Sequence, residues 1–218
     1  MEQVMLPQNS ELRIDCFISK TLDANCYLVS DCKQSIVIDP CVNYQEVYRK
    51  YGLPIVAVFL THGHIDHFSE LNSYLKENVK VYLHRQALAK LADPLKNYSF
   101  YLNKAIHFNL LASQYEIVYD KKQIMIFGSP ILVLEVPGHS DCSIILLINN
   151  IMFSGDTLFQ DGIGRTDLYS GNMAKMLFSL NKIKNLKFNY EIFPGHGQKT
   201  TLDQEKKQNI YLIRSSNG

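Results

Sequence analysis

Residues 59–67 read Phe59-Leu60-Thr61-His62-Gly63-His64-Ile65-Asp66-His67. The stretch closes an apolar, β-branched run, Ile55–Leu60, and opens a segment with apolar residues at helical steps, Asp66–Lys76. Four metal-capable side chains therefore crowd a single strand-to-helix turn. Side chains alternate along an extended segment, so His62 and His64 project to the same side. Asp66 and His67 lie on the turn into the helix and can point the other way. The spacing offers two imidazoles to one ion, and a carboxylate with an imidazole to a second. Such donors suit zinc, iron or manganese, and the lack of thiolate argues against a closed structural zinc site. A histidine-rich surface loop would explain one histidine here, but not three with an aspartate.

Three further strand ends carry a donor beside a glycine: Val136-Pro137-Gly138-His139-Ser140, Phe153-Ser154-Gly155-Asp156-Thr157 and Phe193-Pro194-Gly195-His196-Gly197. Glycine lets the backbone approach an ion closely or adopt strained dihedrals. Loops fixed by rigid strands are where a precise site is built. With the first stretch this makes five histidines and two aspartates, His62, His64, Asp66, His67, His139, Asp156 and His196, enough for two ions with one carboxylate between them. His84 and His107 lie outside the pattern and read as structural or surface residues.

Other strands are expected at Leu12–Ile18, Cys26–Val29, Ser35–Ile38, Val79–Leu83, Ile131–Val136, Ser143–Ile148, Ile151–Phe153 and Tyr190–Phe193. Asn149-Asn150 reads as a hairpin turn. Helices are expected at Tyr44–Tyr51, ending at Gly52, and at Asp66–Lys76, Arg85–Leu91 and Met173–Ile183. Strands in meandering groups separated by helices imply a layered α/β (α+β) domain. The stretch from Ala92 to Tyr119 has no clear period.

A chain of 218 residues with 46% hydrophobic content can bury one sizeable core, so residues 1–218 are expected to form a single domain. Lys+Arg at 22 against Asp+Glu at 21 leaves a net charge of +1, unlike the basic excess of a dedicated nucleic-acid binder. The charged stretch Met1–Asp15 holds no secretory apolar region, and no later run approaches the ~20 apolar residues of a membrane span. The expectation is a cytoplasmic protein with no membrane partner and reduced thiols at Cys16, Cys26, Cys32, Cys41 and Cys142. Oligomeric state is left open.

The THxHxDH element and the GHS, GDTLF and PGHG turns resemble the metallo-β-lactamase superfamily. Phe153–Phe159 with Gly162–Leu168, and Phe193–Gly197 with Thr200, Thr201 and Glu205, resemble its glyoxalase II (hydroxyacylglutathione hydrolase) branch. The resemblance implies a four-layer αβ/βα sandwich with metals at one edge between the sheets. It implies that His62, His64 and His139 hold one ion, that Asp66, His67 and His196 hold the other, and that Asp156 bridges them. Asp66 is also the candidate catalytic carboxylate. Asp39 would orient a ligating histidine. Arg165 would meet a carboxylate of glutathione or pair with Asp167.

Two divalent ions, zinc first with iron or manganese as alternatives, lower the pKa of a shared water from ~15.7 towards ~7 and polarise a carbonyl. The implied substrate is a small-molecule thioester such as S-D-lactoylglutathione. Full-length members of that branch carry a helical C-terminal domain that binds glutathione. The residues after His196 are too few for it, so the compact single-domain bacterial type is expected. The competing enzyme reading is a persulfide dioxygenase using one iron. An exported β-lactamase, a nuclease and a catalytically dead scaffold of the same fold fit the sequence less well.

Overall fold

The structure is a computed structural model and describes residues 12–103 and 105–215. Most of Met1–Asp15, read above as non-secretory, lies outside the described residues. The chain runs β1 (Arg13–Ile18), β2 (Asn25–Ser30), β3 (Ser35–Ile38), α1 (Tyr44–Tyr48), β4 (Ile55–Phe59), α2 (Ile65–Phe68), α3 (Leu71–Leu75), β5 (Lys80–His84), α4 (Arg85–Leu91) and β6 (Tyr115–Val118). The second half runs β7 (Gln123–Ile126), β8 (Ser129–Glu135), β9 (Ile144–Ile148), β10 (Ile151–Gly155), β11 (Leu158–Phe159), β12 (Gly162–Ile163), α5 (Met173–Lys184), β13 (Glu191–Pro194), β14 (Thr200–Thr201), α6 (Leu202–Gln208) and α7 (Ile210–Arg214).

Two six-stranded sheets form, in the orders β1-β2-β3-β4-β5-β6 and β14-β13-β10-β9-β8-β7. Their central strands β2, β3, β9 and β10 are buried throughout. Strands covered on both faces read as continuous apolar runs, and each buried Val, Leu, Ile or Phe contributes roughly 1.5–3 kcal/mol. Alternation then assigns the faces. Val29, Ile36, Ile38 and Phe59 meet Val133, Ile144, Leu146 and Phe153 between the sheets. Leu28, Val37, Val58 and Val81 turn outward beneath Val47, Leu71, Tyr74 and Leu91 of the first helical layer. Ile145, Leu147, Met152 and Ile192 do the same beneath Met176, Leu180, Ile183 and Leu212. The result is the four-layer αβ/βα sandwich.

The element boundaries depart from sequence periodicity where tertiary bonds intervene. The single helix expected over Asp66–Lys76 is two short ones. The Glu70 amide donates to the carbonyl of Pro40 at 3.0 Å, a partner outside the helix, and the ladder breaks there. The first helix closes at Tyr48, and Gly52, with φ +64°, receives the chain in a left-handed conformation and donates to the Tyr48 carbonyl. Inside the patternless Ala92–Tyr119 stretch lie a 3₁₀ turn, Ser99–Leu102, and the edge strand β6, which pairs in parallel with β5. Asn149-Asn150 does form the hairpin between β9 and β10, with Ile148 opposite Ile151. Cys26, Cys41 and Cys142 are buried, Cys16 and Cys32 exposed, and all five are free thiols. No helix among the described residues is long and apolar enough to cross a membrane.

The sheets are stitched together at one edge by polar bonds. The buried Asn25 amide donates to the Tyr27 hydroxyl and to the carbonyls of Pro194 and Gly197, all at 2.9–3.0 Å, while Tyr27 donates to the Pro194 carbonyl at 2.6 Å. Replacing a buried partner strands the others, which typically costs about 1–3 kcal/mol. Asn25→Ala is therefore expected to lower the denaturant midpoint at constant m-value. An unchanged midpoint would mean that this stitch contributes nothing.

Candidate metal centre

The stitched edge is where the donor-bearing strand ends converge. His62 and His64 follow β4, and His64 caps α2 in an extended conformation, φ −91° and ψ 143°. His67 sits on α2, His139 follows β8, Asp156 follows β10 and His196 follows β13. The Ile144 amide donates to the Thr61 carbonyl at 2.9 Å, tying the two sheets together beside the histidines. Two donor groups result. His62, His64 and His139 form one, and Asp66, His67, Asp156 and His196 form the other, with donor atoms inside each group within 4.8 Å of one another.

Four of the five rings are aimed by their far nitrogen. His62 Nδ1 donates to Thr61 Oγ1 at 3.1 Å, and His67 Nδ1 to Asp39 Oδ2 at 2.8 Å. His139 Nδ1 donates to the Arg165 carbonyl at 2.8 Å and His196 Nδ1 to the Asp23 carbonyl at 3.1 Å. Fixing Nδ1–H leaves the Nε2 lone pair as the ligand, and such outer hydrogen bonds set ring orientation in metal sites. His64 instead presents Nδ1, 2.8 Å from His139 Nε2. Asp156 lies between the groups, with Oδ1 3.2 Å from His67 Nε2 and Oδ2 3.5 Å from His139 Nε2 and 3.7 Å from His196 Nε2. Asp66 Oδ2 is 3.3 Å from His196 Nε2 and faces the open side.

Asp39 lies beneath the site. Its Oδ1 accepts the Thr61 amide at 2.8 Å, and its Oδ2 accepts both Thr61 Oγ1–H at 2.7 Å and His67 Nδ1–H. It holds φ +54°, a strained value for a residue with a side chain. Gly195 is also required by space, since a Cβ there would overlap Asp156 Oδ1 and press on His67 Cε1.

The donor set fits metal ions on an independent observation. His62 Nε2, His67 Nε2 and Asp156 Oδ1 are buried without hydrogen-bond partners. Orphaned buried polar atoms cost about 1–3 kcal/mol each, and these three belong to the two donor groups, where metal ions would satisfy them. Burial and the neighbouring imidazoles keep His62 well below its usual range, and burial with His139 beside it pushes His64 down to about 3. His62 and His64 are therefore neutral. In the second group, burial opposes charge on His67, yet the carboxylates of Asp156, Asp66 and Asp39 hold it well above the ordinary histidine range. Burial likewise opposes ionisation of Asp156, but His67, His139 and His196 keep its carboxyl far below the ordinary range. A protonated His67 thus balances the carboxylates in the metal-free protein.

Of the remaining residues, His84 pairs with Glu135 at 3.1 Å, away from both groups, and His107 is exposed. Arg165 lines the cleft over the donors, and its guanidinium grips Asp167 through two bonds of 2.7 Å. Sequence reasoning missed Thr61, which relays Asp39 to His62, and Tyr98, whose ring lies edge-on to His64 at 5.2 Å. The Thr61 hydroxyl, adjoining the motif, was open to notice; Tyr98 lay in the stretch without period. A buried lysine, Lys90, packs its stem against Gly63 and pairs with Asp141 from behind.

Asp156→Ala is expected to remove both ions together in elemental analysis; loss of one alone would contradict a bridging position. Ligating nitrogens must be deprotonated, so metal uptake should displace the His67 proton. His67 titrates above its ordinary value, so it is charged near pH 7 and affinity at its group should fall roughly tenfold per pH unit below its folded pKa. Zinc added to weakly buffered metal-free protein at pH 7 should acidify the solution by at least one proton per chain. No acidification would refute the charged His67.

The family profile described as "Metallo-beta-lactamase superfamily" matches residues 20–196. A probable metallo-hydrolase from Streptococcus pyogenes serotype M6 is 33% identical over 85% of this chain and 84% of its own. A hydroxyacylglutathione hydrolase from Prochlorococcus marinus is 30% identical over 75% of this chain, which spans 61% of that relative. Among solved structures, the BLEG-1 B3 metallo-β-lactamase superposes with TM-score 0.84 at 30% identity, covering 92% of this chain and 99% of that one. TTHA1623 in a di-iron-bound form superposes with TM-score 0.79 at 27% identity, covering 90% and 99%. A profile match along most of the sequence, with a relative one-third identical across most of both chains, makes this protein a member of the metallo-β-lactamase superfamily.

Proposed function

We propose that this metal-dependent hydrolase cleaves thioesters, with S-acylglutathiones such as S-D-lactoylglutathione as the first class to consider. The observation that carries the reading is the pair of donor groups sharing Asp156 at the floor of one cleft. His62, His64 and His139 would hold one ion, Asp66, His67 and His196 the second, and Asp156 both. Divalent ions held by these residues would lower the pKa of a bound water and polarise a carbonyl oxygen.

The chain's own groups do the rest. Asp39, through Thr61 and His67, and the carbonyls of Arg165 and Asp23, through His139 and His196, keep the rings from turning. Asp66 lines the cleft wall, where its carboxylate would accept a hydrogen bond from the attacking water and orient it towards the carbonyl carbon. The apolar walls exclude other water from the reacting atoms. Attack forms the C–O bond and cleavage expels a thiolate, which needs little protonation because an ordinary thiol has a pKa of about 8.5. Neither serine near the donors is placed as a nucleophile. Ser154 donates to the Leu158 carbonyl, and Ser140 is bonded to Ser143 within its turn. The likeness to a hydroxyacylglutathione hydrolase supports the thioester class, and the di-iron neighbour leaves iron beside zinc as a candidate.

Elemental analysis of the purified protein, combined with an S-D-lactoylglutathione hydrolysis assay, tests the reading. Two metals per chain with turnover is the expected result. One iron, oxygen consumption and no hydrolysis would replace it with the persulfide dioxygenase reading.

A further inference from the structure

The cleft over the donors, about 390 Å³, has a wall that the metal chemistry does not account for. Tyr98, Tyr101 and Leu102 of the 3₁₀ turn line one side, and Leu22, Phe159 and Leu168 also face it. Tyr98 lies edge-on to His64, and Tyr101 stacks near Tyr98 with centroids 5.8 Å apart and planes at 29°. An aromatic surface therefore runs outward from the first donor group. Tyr101 is 68% exposed in this position.

The wall is preformed. Tyr98 holds φ +69°, a left-handed conformation that a tyrosine adopts only when surroundings enforce it. Its hydroxyl accepts the Tyr169 amide, and Asn97 beside it accepts the Ser99 amide through its side chain at 2.8 Å and the Ile65 amide through its carbonyl at 2.9 Å. The turn is thus tied both to the His64–Ile65 segment and to the loop that carries Arg165. Charge points the same way. Among the described residues lining the cleft, Arg165 is the one lysine or arginine, and Asp167 already takes its guanidinium. A glutathione carrier brings two carboxylates and meets no unengaged lysine or arginine there.

Resting on the thioesterase reading above but replacing its glutathione carrier with an uncharged thiol, we infer that the cleft selects thioesters whose acyl group is aromatic or bulky and apolar. The ring of such an acyl group stacks on Tyr101 and Tyr98 while its carbonyl reaches the floor. Aromatic pairs prefer offset or edge-to-face contact, which both tyrosines offer.

The test uses metal-loaded protein and four substrates, the phenylacetyl and acetyl thioesters of N-acetylcysteamine and of glutathione. Phenylacetyl is expected to exceed acetyl in kcat/KM by about tenfold or more, the discrimination an apolar pocket supplies. The N-acetylcysteamine esters should match or exceed the glutathione esters. Tyr101→Ala, a truncation at an exposed side chain, should bring the phenylacetyl-to-acetyl ratio close to one, and Tyr101→Phe should preserve it. A wild-type ratio of one or less, a ratio unmoved by Tyr101→Ala, or a tenfold preference for glutathione esters would overturn the inference and leave thioester hydrolysis standing. If the two-metal protein hydrolyses none of the four, the thioesterase reading falls. Calorimetry with the S-phenethyl thioether of N-acetylcysteamine then decides the subsite. Binding about tenfold weaker to Tyr101→Ala retains an apolar acyl pocket; equal or absent binding removes it.

Discussion

One buried carboxylate holds this protein's active edge in shape. Asp39 binds the Thr61 amide, the Thr61 hydroxyl and the His67 ring at once, from the end of the strand next to β4. Each of those bonds is short and shielded from water, where a charge-assisted hydrogen bond is strongest. Through Thr61 the same carboxylate reaches His62, so one side chain orients a ring in each donor group. The strained backbone at Asp39 is the cost of turning its carboxylate under the loop.

The sandwich makes that arrangement rigid. Donors arrive from the ends of β4, β8, β10 and β13, strands split between two sheets that share an apolar interior. Sliding one sheet over the other would misalign the donors, and the interdigitated Phe59, Phe153 and Ile144 resist it. Polar bonds at the edge, from Asn25 and Tyr27 to the His196 turn and from Ile144 to Thr61, lock the last degrees of freedom. Interior packing fixes where the strands end, and hydrogen bonds at their tips fix where the rings point.

Much of this was legible in the chain. Meandering strands separated by helices announced a layered domain, and the glycine-flanked donors at strand ends announced that distant segments meet. His62 and His64 were placed together by the two-residue period of an extended segment alone. What escaped includes the short local helices α6 and α7, but much of it depends on long-range bonds. The break between α2 and α3 follows from the Glu70 amide finding Pro40, which no helical period records. The 3₁₀ turn at Tyr98 is set by Asn97 and Tyr169, so its local sequence looks shapeless. β6 is an edge strand of four residues, only one of them buried, so it lacks the apolar run that marked Ser35–Ile38. Arg165 was readable as a candidate in two roles, and its pairing with Asp167 needed coordinates.

The reach of the His196 contacts bears on how the protein is made. His196 is aimed by the Asp23 carbonyl, pairs with Ala24 as an isolated bridge, and faces Asp66 across the centre. Residues near the beginning of the chain thus complete a site whose last donor emerges far later from the ribosome. A nascent chain can gather His62, His64 and His139 while its second donor group still lacks a member. The second group is complete only once β13 lies beside β10.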